Sequence, residues 1–297
     1  MTQNQPLVSI ITPSFNKGPY IEETIESIRN QSYPHIEHIV IDGGSTDNTL
    51  AILKKYNGQL SWISEPDRGQ SDAINKGWKI ARGDIIAYLN ADDTYTPDAV
   101  MTAVTYLNEH PEAGLVYGDG ILTDEAGRFI RTYRAGEFSL RELIYCRNNI
   151  LQPALFLRRA VYDRIGGIDE DLHLAMDLDY WIRAALLFKI AYIPQPLATA
   201  KIYRDAKSVA LMYRYVSDYE HILGKVFADP HLPPDLAGEK NAIYTYIYTK
   251  GGLDYLHLGM IRDGLGYLWK AFRHHPLRCL GNVLVLLAQF GYRNVRL

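Results

Sequence analysis

The sequence predicts an α/β protein: a mostly parallel sheet flanked by helices, followed by a C-terminal helical appendage. Three observations carry that reading. Short apolar strands alternate with amphipathic helical stretches through the first half, the pattern of repeated βα units with helices on both faces of a sheet. One strand, Ile85 to Leu89, is apolar throughout and ends in Asn90-Ala91-Asp92-Asp93. It reads as a strand buried on both faces that delivers carboxylates to the sheet's carboxyl edge, where open α/β sheets bind ligands. Beyond about residue 205 the texture changes to helices rich in Tyr and Leu.

Each element follows from local pattern. Val8 to Thr12 is a strand stopped by Pro13, and a helix from about Pro19 to Asn30 carries Ile21, Ile25 and Ile28 on one stripe. Glu37 to Ile41 is the second strand; after the turn Asp42 to Asp47, Asp47 caps a helix to about Tyr56. Leu60 to Ser64, a helix Ser71 to Ala81, and Ile85 to Leu89 continue the alternation, with Pro97 to Glu109 helical and Leu115 to Tyr117 a strand. From Gly118 the pattern loosens: a hairpin over Ile121 to Tyr133 turns at Asp124-Glu125-Ala126-Gly127. A short helix Leu140 to Tyr145 comes next, then a strand Ala154 to Leu157 entering a helix Arg159 to Ile165 that Gly166-Gly167 stops. Met176 to Leu187 is a strong helix and Ala191 to Ile193 a short strand before Pro194 and Pro196. Four helices are expected beyond: Ser208 to Phe227, Leu236 to Leu258, Ile261 to His274 and Leu277 to Phe290.

Composition narrows the class. The 297 residues are 47% hydrophobic and 22% charged, as in soluble globular proteins, and a net charge of −3 gives no global field for nucleic acid. Cys146 and Cys279 fit no metal or disulfide spacing, which favours a reducing compartment. The chain enters its first strand without a basic region or cleavage site, so no signal peptide is expected. The longest apolar run, Val283 to Ala288, is six residues and too short to span a bilayer. Between Arg262 and Leu297 stand six Lys/Arg and one acidic residue, Asp263, with Trp269, Phe272 and Phe290 interleaved. Such a segment, 262–297, can lie on an anionic membrane surface, or pack on the domain or a second subunit; both readings stand. The expected location is cytoplasmic, at the inner face of a membrane if the first reading holds.

Two adjacent carboxylates repel and need a cation, water or donors beside them. A divalent metal carrying a diphosphate would supply that need at Asp92 and Asp93; a solvated turn capping the next helix is the plain alternative.

The motifs taken together resemble family 2 glycosyltransferases. Ser9 to Asn16, then Ile41-Asp42-Gly43-Gly44-Ser45-Thr46-Asp47, then Leu89 to Asp93 follow in the family's order, over about residues 7 to 200. The resemblance implies a GT-A, Rossmann-like fold, a nucleotide-sugar donor, a divalent cation (Mn²⁺ or Mg²⁺) and inversion at the anomeric carbon. It implies a catalytic domain over 1–204, with a nucleotide-sugar half to about 117 and an acceptor half from 118, and a helical region over 205–297. Thr12, Pro13 and Ser14 become the floor under the nucleotide base, an ordinary strand-to-helix turn being the plain alternative; Asp42 accepts from a base N–H or merely stabilises the Gly-Gly turn, Gly43 standing where many relatives carry a second Asp. Glu65 to Gly77 matches the loop and helix beside the donor, which puts Asp72 at the nucleotide or, equally, in a capping role at its helix's first turn. Asn90, Ala91 and Asp92 match the family's Asp-x-Asp motif with Asn90 for the first Asp; Asp92, with Asp93 direct or through water, holds the metal.

His173 to Arg183 resembles the family's Glu-Asp motif, with Met176 for Glu and Asp177 at the general base; Asp179 is the reserve, and helix capping is the plain alternative for Asp177. Gln152 is expected on the transferred sugar or acceptor, the Gly166-Gly167 pair at a turn, and Tyr203-Arg204-Asp205 over the donor. The implied reaction moves one sugar, from a UDP-sugar by preference, to a glycan or lipid-linked acceptor in surface-polysaccharide assembly; an oligomer is compatible. Two other classes stay open: a nucleotide-sugar-binding module that has lost turnover, flagged by Asn90 and Met176, and a sugar nucleotidyltransferase, against which stands the lack of a Gly-rich basic loop between Thr12 and Gly18.

Overall fold

The computed structural model describes residues 5–147, 149–172, 174–203 and 215–293. His173, Arg204, Asp205 and the start of the helix expected from Ser208 lie outside them. The described residues form two compact units, one comprising residues up to 138 with 149–203, the other 139–147 with 215–293.

The first unit opens with β1 (Val8–Ser14), α1 (Ile21–Arg29), β2 (Ile36–Asp42), α2 (Thr49–Lys55), β3 (Ser61–Ser64), α3 (Gln70–Ile80) and β4 (Ile85–Tyr88). These follow the predicted alternation within a residue or two. Every residue of β1 and β4 is buried, as the apolar run of β4 requires; in β1 the burial extends to Ser9, Thr12 and Ser14. The buried stripe of α1 is Ile21, Thr24, Ile25 and Ile28. Asp47 stands two residues before α2 and accepts from the Thr49 backbone N–H at 2.9 Å, so it satisfies a helix-end donor from just outside the helix. Gly83 permits a close crossing: a Cβ there would meet the Ser9 nitrogen at 2.6 Å and the Leu7 oxygen at 2.7 Å.

β5 (Thr94–Tyr95), α4 (Ala99–Glu109), β6 (Ala113–Thr123) and β7 (Phe129–Tyr133) follow. The chain then contributes α5 (Leu140–Ile144) to the other unit and returns as β8 (Leu155–Arg158), α6 (Arg159–Ile165), α7 (Met176–Ala185) and β9 (Lys189–Lys201). Among the described residues the nine strands make one sheet in the order β3-β2-β1-β4-β8-β6-β9-β5, with β7 on β6. The β3-β2-β1-β4 half is parallel throughout. Beyond it the sheet is mixed: β8 is antiparallel to both β4 and β6, while β6 and β9 run parallel. Two apolar clusters hold the helices on: one includes Ile10, Ala87, Leu107 and Phe156, the other Ile25, Val40 and Leu53.

Two strands exceed their expected length. β6 begins at Ala113 and runs to Thr123, and β9 continues past Ile193 through Pro194 and Pro196 to Lys201. The prolines are tolerated because the β6–β9 register jumps there, from Gly118↔Ile193 to Asp119↔Pro196, and a bulge needs no ladder N–H.

The second unit holds α5, α8 (Tyr215–Val226), α9 (Pro234–Gly238), α10 (Lys240–His257), α11 (Ile261–His274) and α12 (Pro276–Arg293). The expected helix Leu236 to Leu258 is broken near Glu239 into α9 and α10. Gly252 and Gly264 let α10 and α11 approach closely: a Cβ on Gly252 would meet the Gly264 oxygen at 2.9 Å.

Candidate active site

Parallel pairing puts the carboxyl ends of β1, β2 and β4 on one edge, and the predicted residues gather there. Ser14 pairs with Asp42 in the β1–β2 register. Thr12 Oγ1 lies 2.9 Å from His38 Nε2, both buried. Ser14 Oγ is buried without a hydrogen-bond partner among the described residues, an unmet donor and acceptor at the spot assigned to the base.

Asp42 is fully buried and saturated by its own surroundings. Its Oδ2 accepts from the Gly44 N–H (3.1 Å), the Ser45 N–H (2.9 Å) and Ser64 Oγ (2.7 Å), and its Oδ1 from Ser45 Oγ. A ligand N–H would have to displace one of these donors. Asp67 is better placed to accept. Its Oδ1 takes the Gly69 N–H at 2.8 Å, and its carboxylate fills the space a side chain at Gly43 would occupy, 2.6 Å from an added Cβ. The charge that the resemblance leads one to expect beside Asp42 comes here from another loop.

Asp72 lies in the first turn of α3, where its Oδ2 accepts from the Arg68 N–H at 3.0 Å. Burial pushes its carboxyl up, but the Arg68 amide and Lys76 outweigh it and hold the group below the ordinary range. Its carboxylate thus ties the loop before α3 to the helix's first turn.

The β4 turn is built on Asn90. Its Oδ1 accepts from Gln70 Nε2 (2.7 Å), and its Nδ2 donates to Asp93 Oδ2 and Gln152 Oε1, each at 3.1 Å. Gln152 in turn donates to the Tyr88 carbonyl at 2.9 Å. Asn90 and Gln152 therefore brace the turn with the very groups expected to meet ligand. Ala91 is buried beneath the turn. Asp93 points inward, where the Lys201 backbone N–H also reaches it (3.3 Å). Burial, then the neighbouring Asp92 charge, pushes its carboxyl up to about 7.

Asp92 faces outward. Its Oδ2 accepts from Lys17 Nζ at 2.6 Å and from the Tyr203 hydroxyl, and Lys17 also donates to that hydroxyl at 2.8 Å. Burial alone would lower the Lys17 pKa; Asp92 more than reverses it. Tyr20 stacks on Tyr203 with ring centroids 6.0 Å apart, closing an aromatic wall around the ammonium. Among the described residues no three His, Cys, Asp or Glu side chains converge as a ready metal cage. Mg²⁺ and Mn²⁺ shared with a diphosphate need only one or two carboxylates. Asp92, already balancing a cation, fits that requirement, and Asp93 fits it only through water because its oxygens are turned to Asn90 and Lys201.

Asp177 lies in the first turn of α7 and accepts a hydrogen bond from the Tyr88 hydroxyl. Burial and then the Asp177 charge raise the Tyr88 pKa far above its ordinary value, so this hydroxyl keeps its proton. Met176 packs with its sulfur 2.8 Å from Ser71 Oγ. Asp179, the reserve, is 1% exposed and paired with Arg183 at 2.8 Å. Arg183 also donates to the Ile165 and Gly167 carbonyls, so this pair fastens the glycine turn.

Sequence reasoning missed Lys17, Asp67 and Tyr88 as members of the site, and it placed Tyr203 over the donor without its bond to Asp92. For Tyr88 a signal existed: a tyrosine closing a fully buried strand needs a partner for its hydroxyl.

The family model described as glycosyl transferase family 2 matches residues 9–166. The chain belongs to that family. It is an enzyme of the glycosyltransferase class, with the GT-A fold that the sequence motifs imply. An uncharacterised glycosyltransferase of Mycobacterium tuberculosis is 37% identical over 185 residues, 61% of this chain and 70% of that relative. A PGL/p-HBAD biosynthesis glycosyltransferase of the same species is 33% identical over 183 residues, 60% and 69% of the two chains. Among solved structures, S. aureus TarS residues 1–349 in complex with UDP-GlcNAc superposes with a TM-score of 0.67 at 19% identity, covering 93% of this chain and 89% of that one. The mannosyltransferase PcManGT from Pyrobaculum calidifontis, in complex with GDP-Man and Mn²⁺, gives 0.64 at 20% identity, covering 95% and 81%.

Proposed function

We propose that the sheet-bearing unit transfers one sugar, with inversion, from a nucleoside-diphosphate sugar to a hydroxyl of a glycan or lipid-linked acceptor. The observation that carries this reading is the Tyr88 junction. The strand that ends in the Asn90–Asp93 turn also holds Asp177 through the Tyr88 hydroxyl. Direct displacement requires a base and a leaving-group site held in fixed geometry, and here the candidates for both are tied to one strand end. The relative named for PGL/p-HBAD biosynthesis and the neighbours holding UDP-GlcNAc or GDP-Man support the substrate class; a UDP-sugar is preferred.

In this mechanism Ser14 and Asp67 bind the base edge, with Thr12 and Pro13 beneath it and Asp42 fixing the loop between them. Asp92 would hold the divalent metal, with Asp93 in support; bound there, the metal would neutralise charge on the leaving diphosphate. The acceptor oxygen forms its bond to the anomeric carbon as the bond from that carbon to the diphosphate oxygen breaks. The hydroxyl proton passes to the Asp177 carboxylate, and the electron pair of the broken bond leaves with the nucleoside diphosphate.

The test is a panel of UDP-, GDP- and dTDP-sugars with Mn²⁺ or Mg²⁺, scored for nucleoside-diphosphate release, wild type beside Asp92→Ala and Asp177→Asn. One donor should be turned over in a metal-dependent way. Asp177→Asn should lower kcat by about 10²–10⁴-fold with donor affinity kept, and Asp92→Ala should lose the metal response. Full turnover by Asp177→Asn would remove it as base. Donor binding with no turnover against any hydroxyl acceptor would favour the retired module that Asn90 and Met176 flag.

A further inference from the structure

The second unit carries an apolar surface that its own packing leaves open. On α11, Ile261, Leu265, Trp269 and Phe272 fall on one stripe at helical spacing, and Trp269 is 61% exposed. The buried residues of that helix, Gly264 and Ala271, lie on another side. α12 repeats the arrangement: Leu277, Leu280, Leu284 and Leu287 share a stripe, with Leu277 78% exposed, while Cys279 and Leu286 are buried. Trp269 and Phe272 stack at 5.9 Å between centroids and present both rings outward together. Eight large apolar side chains on two consecutive helices exceed the scattered singles normal on a soluble surface.

Charge selects the occupant. Arg262 and Arg273 follow the α11 stripe along one flank, at about 100° and 120° around the helix from Ile261, and both are exposed. Among the described residues neither has an acidic partner. α11 has one acidic residue, Asp263, and α12 has none. A second copy docking through this face would double its positive charge and bring from the two helices only Asp263 to answer it. A surface of anionic lipid headgroups over acyl chains satisfies both halves, with aromatic rings at the boundary and arginines among the phosphates. No described helix is long and apolar enough to cross a membrane, so contact would be in the plane of the interface.

We propose that the α11–α12 face seats the protein on an anionic lipid surface. This inference is independent of the transfer chemistry, and its test reads no catalysis. Full-length protein is floated with vesicles of pure phosphatidylcholine and with vesicles carrying about one-third phosphatidylglycerol. Binding should favour the anionic vesicles and weaken at high salt. The double substitution Trp269→Glu/Leu284→Glu, at exposed positions, should lower it by about tenfold or more. Arg262→Glu/Arg273→Glu should erase the preference for anionic over neutral vesicles. Protein that stays free of anionic vesicles at low salt overturns the proposal. So does a wild-type dimer in light scattering that Trp269→Glu/Leu284→Glu converts to monomer without any change in vesicle binding; that would assign the face to a second copy.

Discussion

Asp42 and Asp92 end two strands of the same parallel half-sheet, yet they are held in opposite ways. Asp42 is saturated by donors from its own loop and the adjacent strand end, the farthest being Ser64. Asp92 is held by Lys17 and Tyr203, which are 75 and 111 residues away in the chain, and its carboxylate keeps contact with solvent. The first arrangement folds with the strand and has nothing left to offer. The second leaves a partly exposed carboxylate balanced by one side-chain cation, as the proposed metal role requires. What a carboxylate at a strand end has left to offer therefore depends on who already bonds it.

The contrast is broken most directly by unfolding measurements. Hydrogen bonds to a buried carboxylate contribute about 1.5–3 kcal/mol each. Asp42→Asn, which keeps the shape but weakens several of them, should cost about 3 kcal/mol and lower Tm by about 6–12 °C. Asp92→Asn removes a partly exposed ion pair and should cost about 1 kcal/mol or less. Equal losses in differential scanning calorimetry would end the distinction.

A smaller effect tests the β1–β2 seam beneath Asp42. Burial holds His38 down at about 3, well below the value of about 6.5 in an unfolded chain. Because the folded pKa is the lower one, the unfolded chain takes the proton first, and stability is lost as pH falls below about 6.5. The loss should reach about 1.4 kcal/mol one pH unit lower. Asp93, pushed up to about 7, acts in the opposite sense over the same window, so the readout is the difference in urea stability between wild type and His38→Gln at pH 7 and pH 5.5. An unchanged difference would mean that His38 takes its proton in the fold.

The smallest effect sharpens the Asp92 side. Lys17→Met removes the resident cation, so Mn²⁺ measured by calorimetry without donor should bind about 2–10-fold more tightly, the equivalent of a pair of about 0.5–1.5 kcal/mol. Weaker binding would make Lys17 a helper of the metal site instead of its competitor.

The parallel half of the fold was legible because each strand there is a short apolar run between turn residues. The mixed half was less so. Pro194 and Pro196 argue locally against a strand, and only the bulge opposite Gly118 and Asp119 makes room for them. The same division holds in the site. Asp92 and Asp177 are marked by motif and position, whereas Lys17 and Tyr203 meet across 186 residues with no periodicity to announce it. Asp67 looked like one turn residue among several, and only the space above Gly43 singles it out.

Tyr88 has one more consequence. Its hydroxyl holds Asp177, and its carbonyl, through Gln152, steadies the Asn90 turn. Both attachments ride on a single residue at the end of a buried strand. A displacement of that strand end therefore carries the carboxylate and the turn with it. Tyr88 is thus a gauge block between the two groups that the proposed transfer needs at a fixed span.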